Sequence, residues 1–83
     1  MFEIILSDEA KKNLNKLDNS TRERLILALE SLRIRPFSKD LKKLIGTPYF
    51  RFRVGDYRII LTINMNKLTI LVVKIKRREN VYQ

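Results

Sequence analysis

The hydrophobic period of this chain changes once, at Gly46-Thr47-Pro48, and divides the sequence into a helical part and a strand-rich part. Before this point, apolar residues such as Leu25, Leu29 and Leu32 recur every three or four positions, which is typical of a helix with one buried face. After it, residues 49–54 alternate between apolar and polar, which is typical of a strand with one buried face. The sequence therefore predicts an α+β domain.

Two helices are predicted in the first part of the chain. Ser7 is a candidate N-cap for a helix over residues 8–17, because two acidic residues follow it and complement the positive end of the helix dipole. Ser20 opens a capping box of the form S-x-x-E, which predicts a second helix from there to about residue 33, before Pro36. The break between them leaves two or three residues, so the helices are expected to form a hairpin.

Four strands are predicted, one before the helices and three after the change of period. They cover residues 2–6, 49–54, 57–63 and 68–75. Gly55-Asp56 predicts a tight turn between the second and third strands, and residues 37–43 are interpreted as a connection. The element order is then β-α-α-β-β-β. It predicts a helical hairpin packed on one face of a mainly antiparallel four-stranded sheet, as a single domain over residues 1–83.

Positive charge is concentrated in the second half of the chain. The formal net charge is +9, and residues 42–83 carry ten of the 18 basic residues but only two of the nine acidic ones. One-sided charge of this kind indicates a polyanionic partner, with nucleic acid first, an anionic membrane second, and an acidic protein possible in addition. The alternative is a basic surface that only keeps the protein in solution.

The residue types that are missing exclude several kinds of chemistry. The chain has no cysteine and no histidine, so it has neither a thiolate nucleophile nor the usual general base, and neither a metal nor a cofactor is expected. The N-terminus lacks the form of a secretory signal, and no apolar stretch approaches the length of a membrane span. We therefore expect a cytoplasmic protein without a membrane partner.

The strand pattern places five cations on the sheet face that the helices leave open. Alternation directs Arg51 and Arg53 to that face from one strand and Lys74 and Lys76 from another, with Arg58 between them. Solvent-facing positions of any antiparallel sheet are polar, so an ordinary surface is the alternative. However, an ordinary surface mixes the two signs, because like charges on neighbouring strands repel each other. Five cations without a carboxylate indicate a functional basic concavity.

Two motifs resemble those of the RelE/ParE superfamily of toxins. The residues at 41–46, LKKLIG, and at 50–60, FRFRVGDYRII, are similar to the family pattern K-L-x-G followed by R-x-R-x-G-x-Y-R. The ending at 76–82, KRRENVY, is similar to the basic R-x-x-V-Y close of that family. The length and the predicted order of helices and strands agree as well, so the resemblance covers essentially the whole chain.

The resemblance implies a toxin of a type II toxin–antitoxin system. In the RelE branch, such a toxin cleaves messenger RNA in the ribosomal A site, and a RelB-like antitoxin encoded beside it silences it. Carried over by position, the implied catalytic residues are Arg51, Arg53, Arg58, Arg78 and Tyr82. Two positions depart from the family: Arg77 stands where many relatives have histidine, and Leu61 replaces a frequent tyrosine.

The general base is the open point of this interpretation. Arginine cannot act as a base, because its pKa exceeds about 12, so the arginines are expected to bind and stabilise phosphate. Tyr82 is the first candidate, because nearby positive charge favours a phenolate. It could equally stack on a nucleobase, or be a frayed end with no role. Lys76 and the pair Lys42 and Lys43 are the other proton-transfer candidates. The residues expected to bind RNA are Lys42, Lys43, Lys74, Lys76 and Arg77.

Two alternative functions stay open. The ParE branch of the same fold inhibits DNA gyrase and does not cut RNA. A non-catalytic nucleic-acid-binding module would bind tightly without cleaving. The presence of all four arginines together with Tyr82 favours the nuclease, because a gyrase inhibitor does not need a phosphate-binding set.

Overall fold

The computed structural model describes residues 1–78. It contains two helices and five strands in that part of the chain. In chain order they are β1 Glu3–Leu6, α1 Asp8–Asn15, α2 Asn19–Leu32, β2 Leu41–Lys43, β3 Phe50–Val54, β4 Tyr57–Asn64 and β5 Thr69–Arg77. The predicted helical hairpin on a mainly antiparallel sheet is confirmed, and none of the described helices is long and apolar enough to cross a membrane.

The two helices begin at side-chain caps. The Ser7 hydroxyl accepts a hydrogen bond from the Ala10 amide at 3.0 Å, as predicted for α1. The predicted cap of α2 is wrong, because Ser20 lies inside the helix and Asp18 is its N-cap. The Asp18 carboxylate accepts a bond from the Thr21 amide at 3.4 Å. The capping box indicated the right helix but began it two residues late.

The sheet has the strand order β1-β5-β4-β3-β2. β1 runs parallel to β5, and the other three pairings are antiparallel. The predicted four strands were one too few, because β2 pairs with β3 in the segment interpreted as a connection. With three residues, Leu-Lys-Lys, β2 is too short to produce an alternating pattern.

The core lies between the helices and one face of the sheet. Side chains buried there come from both helices and from three strands: Ala10, Leu14, Leu25, Leu29, Leu32, Phe52, Ile59, Leu61, Ile70, Val72 and Ile75. β5 has a strand on each side, but it is covered on one face only, since Leu71 remains 38% exposed. The face opposite the helices, called the outer face below, is therefore open to solvent.

A β-bulge in β5 decides which side chains reach the outer face. Ile60 pairs with Lys74 but Leu61 pairs with Val72, so Val73 is the extra residue. Val72 and Lys74 would share one face in a regular strand, whereas the bulge buries Val72 and turns Lys74 outward. Two hydrogen bonds from α1 and its N-cap fix the backbone of β5 at the bulge. The Ser7 hydroxyl donates to the Val73 carbonyl at 2.5 Å, and the Asn13 carboxamide accepts from the Ile75 amide at 2.8 Å.

Candidate functional site

Cations on the outer face lie in rows that cross the strands. Arg53 of β3 pairs with Arg58 of β4, and Arg58 pairs with Lys76 of β5. The neighbouring row begins with Lys42 of β2, which pairs with Arg51. Neighbouring strands are about 4.8 Å apart, so these charged side chains project from the sheet next to one another.

These rows form one wall of an open cavity of about 890 Å³. Its lining combines the outer-face cations with the segment before β2 and the last described residues. The lining residues are Lys39, Asp40, Lys42, Leu44, Arg51, Arg53, Arg58, Ile60, Lys76, Arg77 and Arg78. Eight of these eleven side chains carry a positive charge, so the cavity suits a polyanion.

The floor of the cavity is apolar. Ile60 lies on the outer face between its register partners Arg51 and Lys74, yet it is only 8% exposed. The methylene stems of long cationic side chains cover apolar surface while their charged ends stay in water. Ile60 therefore gives the flanking side chains a surface to pack against, and their charged groups are presented above it.

Arg58 occupies the centre of this arrangement. Its Nη1 donates to the carbonyls of Gly55 at 3.1 Å and Tyr57 at 3.0 Å, which orients the guanidinium. Burial lowers the pKa of Arg58, and the charges of Arg78, Arg53 and Arg51 lower it further. Arginine remains protonated at neutral pH despite such a shift. All four arginines line the same cavity, which favours binding of an anion among their guanidinium groups.

The β3–β4 turn positions the last described arginine. Gly55 has a φ of 56°, a left-handed conformation that glycine adopts without strain, and it allows the predicted tight turn between Val54 and Tyr57. The next residue, Asp56, accepts a backbone hydrogen bond from the Arg78 amide at 2.5 Å. This bond is made by main-chain atoms, so it fixes the backbone of Arg78 and leaves its side chain available to the cavity.

The structure brings together most of the residues selected from the sequence, but not all of them. Those that line the cavity are Lys42, Arg51, Arg53, Arg58, Lys76, Arg77 and Arg78. Lys74 lies on the outer face without lining the cavity. Lys43 does not line the cavity: it pairs with Phe50 on the helix side, its Nζ lies 5.7 Å from the centroid of the Phe50 ring, and it donates to the Thr47 carbonyl. Tyr82 lies outside the described residues.

Four lining residues were not selected from the sequence: Lys39, Asp40, Leu44 and Ile60. Three of them belong to the segment around β2, whose pairing with β3 was not predicted. Asp40 comes immediately before the LKKLIG motif, so its position in the sequence was the available signal. Asp40 lies beside Arg53, with 4.0 Å between Oδ1 and Nη2, and its carbonyl accepts from the Arg53 amide at 3.0 Å.

Comparison with known proteins agrees with this geometry. The family model for the ParE toxin of the type II toxin–antitoxin system parDE matches residues 4–82. The chain belongs to this family, within the RelE/ParE superfamily. It is a toxin of the type II toxin–antitoxin class, and the resemblance seen in its motifs is confirmed.

Two archaeal RelE proteins are similar to this toxin, and a bacterial RelE shares its fold. It is 28% identical to a Methanocaldococcus jannaschii protein named RelE1, over 99% of this chain and 96% of that protein. RelE in the RelE–RelB complex of Pyrococcus horikoshii OT3 is 27% identical, with a TM-score of 0.85, and the match covers 96% of this chain and 98% of that one. The isolated Escherichia coli RelE toxin shares the fold, with a TM-score of 0.84 at 21% identity, over 99% of this chain and 89% of that one.

Proposed function

We propose that this toxin is a metal-independent endoribonuclease that cleaves messenger RNA in the ribosomal A site and so inhibits translation. The observation that carries the proposal is the convergence of Arg51, Arg53, Arg58 and Arg78 at one cavity on the outer face. Cleavage of RNA by its own 2′-hydroxyl builds negative charge on the phosphate in the transition state. Fixed guanidinium groups stabilise such charge, and their planar geometry suits bidentate contact with phosphate oxygens.

The open shape of the site supports a requirement for the ribosome. Self-cleavage needs the 2′-oxygen in line with the leaving 5′-oxygen, and this alignment contributes much of the rate of such reactions. An open surface lined by cations binds the phosphate, but it does not hold the neighbouring ribose in a defined orientation. A ribosome that holds the message in the A site would supply this alignment, and the basic surface would bind ribosomal RNA in a salt-dependent manner.

A RelB-like antitoxin is the proposed protein partner. The Pyrococcus horikoshii relative is described in complex with RelB, and this chain matches nearly all of that toxin. A net charge of +9 favours association with an acidic segment. An antitoxin that covered Arg51, Arg58 or Arg78 would block access of RNA to the cavity.

Primer extension on a defined message in a purified translation system tests the nuclease. Wild type should cut within A-site codons only when ribosomes are present. Arg78→Ala should abolish cleavage while it preserves the fold, because the main-chain bond to Asp56 does not need the side chain. Arg35→Ala is the matched control, since Arg35 is exposed and does not line the cavity. Unchanged cleavage by Arg78→Ala would contradict the proposal.

Gyrase inhibition is the second candidate, because the family model that matches residues 4–82 is named for ParE. A supercoiling assay with purified gyrase separates the two functions. We expect the toxin to leave supercoiling unchanged at concentrations that cleave the message. Inhibition of gyrase without cleavage would favour the ParE-type function. Tight RNA binding with neither effect would indicate the non-catalytic module.

A further inference from the structure

The cavity contains a side chain whose charge is opposite to that of the other ionisable lining residues. Among the described residues that line it, Asp40 is the carboxylate and the other ionisable groups are lysines and arginines. RNA self-cleavage needs a group that accepts the 2′-hydroxyl proton, which arginine cannot do. A carboxylate is a common general base in enzymes.

Asp40 stands at the end of a row of four charged residues. Its carbonyl accepts from the Arg53 amide, which continues the β2–β3 pairing by one residue. Asp40 is two positions before Lys42, so alternation directs it to the same face as Lys42. The row then runs from Asp40 through Arg53 and Arg58 to Lys76, one residue from each neighbouring strand or strand end.

We propose that Asp40 is the general base of the ribonuclease and that Lys76, at the other end of the row, is the general acid. This inference rests on the proposed nuclease function. The backbones of Asp40 and Lys76 lie about 14 Å apart, because three strand spacings of about 4.8 Å separate them. Both end residues line the cavity, so a phosphate bound by the two arginines between them would lie between the aspartate and the lysine.

The proton and bond changes balance without a further reactant. An Asp40 carboxylate oxygen takes the proton of the 2′-hydroxyl, and the 2′-oxygen forms a bond to phosphorus. The bond from phosphorus to the 5′-oxygen breaks, and that oxygen takes a proton from the Lys76 ammonium. The products are a 2′,3′-cyclic phosphate and a 5′-hydroxyl. Exchange with water then returns the proton to Lys76 and removes it from Asp40.

The surroundings of Asp40 leave its carboxylate free to react. Its side chain is 40% exposed and that of Arg53 is 62% exposed, with 4.0 Å between the charged atoms, so the contact is loose. The other charged groups that line the cavity are Lys39 and Lys42 from the segment of Asp40, Arg51 and Arg53 from β3, Arg58 from β4, Lys76 and Arg77 from β5, and Arg78 after it.

The test is the single-turnover rate of A-site cleavage as a function of pH, for wild type and Asp40→Asn. Between about pH 6 and pH 8 the wild-type rate should change little, because hydroxide is not the group that removes the 2′-proton. Asp40→Asn should cleave about 10²- to 10⁴-fold more slowly. Its rate should rise with pH, because hydroxide must then remove the 2′-proton. Asp40→Glu should restore part of the rate and the flat profile.

Two controls test whether the effect is specific to Asp40 and whether the reaction uses the 2′-hydroxyl. Asp8→Asn removes the same charge from the exposed first turn of α1, away from the cavity, and should leave the rate unchanged. Substitution of 2′-deoxyribose at the cleaved nucleotide should abolish the reaction with every variant.

Each outcome has a definite meaning. A wild type that leaves the message intact would overturn the nuclease proposal itself. If wild type cleaves and Asp40→Asn cleaves at the same rate, only the assignment of Asp40 is overturned. A slower Asp40→Asn whose pH profile stays flat would also overturn it, because Asp40 would then act by positioning Arg53.

Discussion

Arg53 and Arg58 are direct register partners on strands β3 and β4, so two guanidinium groups stand side by side on the outer face. Like charges opposite each other destabilise a sheet. The nearby Asp40 carboxylate lies 4.0 Å from Arg53, and the side chains are 40% and 62% exposed, so this pair offsets little of the repulsion. The arrangement is therefore unfavourable for folding and favourable for binding an anion.

Arg53→Gln should stabilise the folded protein while it impairs cleavage. We expect a gain of about 0.2–1 kcal/mol in the free energy of unfolding at low salt, since one of the two facing charges is lost. The gain should shrink at high salt, where screening weakens the repulsion. Urea denaturation at two salt concentrations measures this, with Arg35→Gln as the control. A loss of stability would indicate that Arg53 contributes through packing.

Ser7 should be the more important of the two predicted helix caps. Its hydroxyl caps α1 and also donates to the Val73 carbonyl at the bulge. Ser7→Ala should lower the free energy of unfolding by about 1–3 kcal/mol, because both hydrogen bonds are lost. Ser20→Ala is the matched control and should change stability by less than about 0.5 kcal/mol, since Ser20 lies within α2 and alanine favours helices. Equal effects in chemical denaturation would contradict this account of the caps.

The second cap should respond to pH. The hydrogen bond from Thr21 lowers the pKa of Asp18 below its ordinary value. The ionised cap therefore stabilises the fold above the unfolded-state pKa, and this contribution is lost as the pH falls through the lowered folded-state pKa. Asp18→Ala should melt at a lower temperature than wild type at neutral pH. The difference between the two melting temperatures should shrink on acidification. A difference independent of pH would contradict the role of the ionised carboxylate.

RNA binding should weaken steeply with salt. For a single strand, the slope of log K against log salt concentration is about −0.7 for each phosphate that the protein neutralises. Arg51→Ala should reduce the magnitude of this slope by about 0.7, because Arg51 lines the cavity. Lys43→Ala should leave the slope unchanged, because Lys43 lies on the helix side of the sheet. Titrations of a labelled oligonucleotide by fluorescence anisotropy at several salt concentrations measure both slopes, and equal slopes for the two variants would place the RNA elsewhere.

Most of the helices and strands could be predicted from the sequence, whereas the three-residue strand β2 and the bulge in β5 could not. The leucine stripe of α2 and the alternation of β3 each repeat often enough to identify the element. β2 has three residues and no such repeat, so its pairing depends on tertiary context. The start of α2 was misjudged because Ser20 and Asp18 are both good caps, and local sequence does not choose between them.

The site residues on regular strands could be predicted as well, and those that depend on irregular or unpredicted pairing could not. The arginines of β3 and β4 were predicted to meet because their strands alternate regularly and are joined by a tight turn. Asp40 could not be placed, because its position depends on the unpredicted pairing of β2 with β3. Lys43 was grouped with Lys42, although neighbouring residues in a strand point to opposite faces. The bulge at Val73 was likewise invisible in the sequence, yet it decides that Lys74 and Lys76 face outward while Val72 is buried.

The decisive experiment for the ribonuclease proposal is cleavage of a defined message by the wild-type toxin, with and without ribosomes, followed by identification of the new RNA ends. We predict cuts within A-site codons that require the ribosome and leave a 2′,3′-cyclic phosphate and a 5′-hydroxyl. An intact message on toxin-treated ribosomes, from a protein shown to be folded by circular dichroism, would contradict the assignment of the cationic cavity as a ribonuclease site.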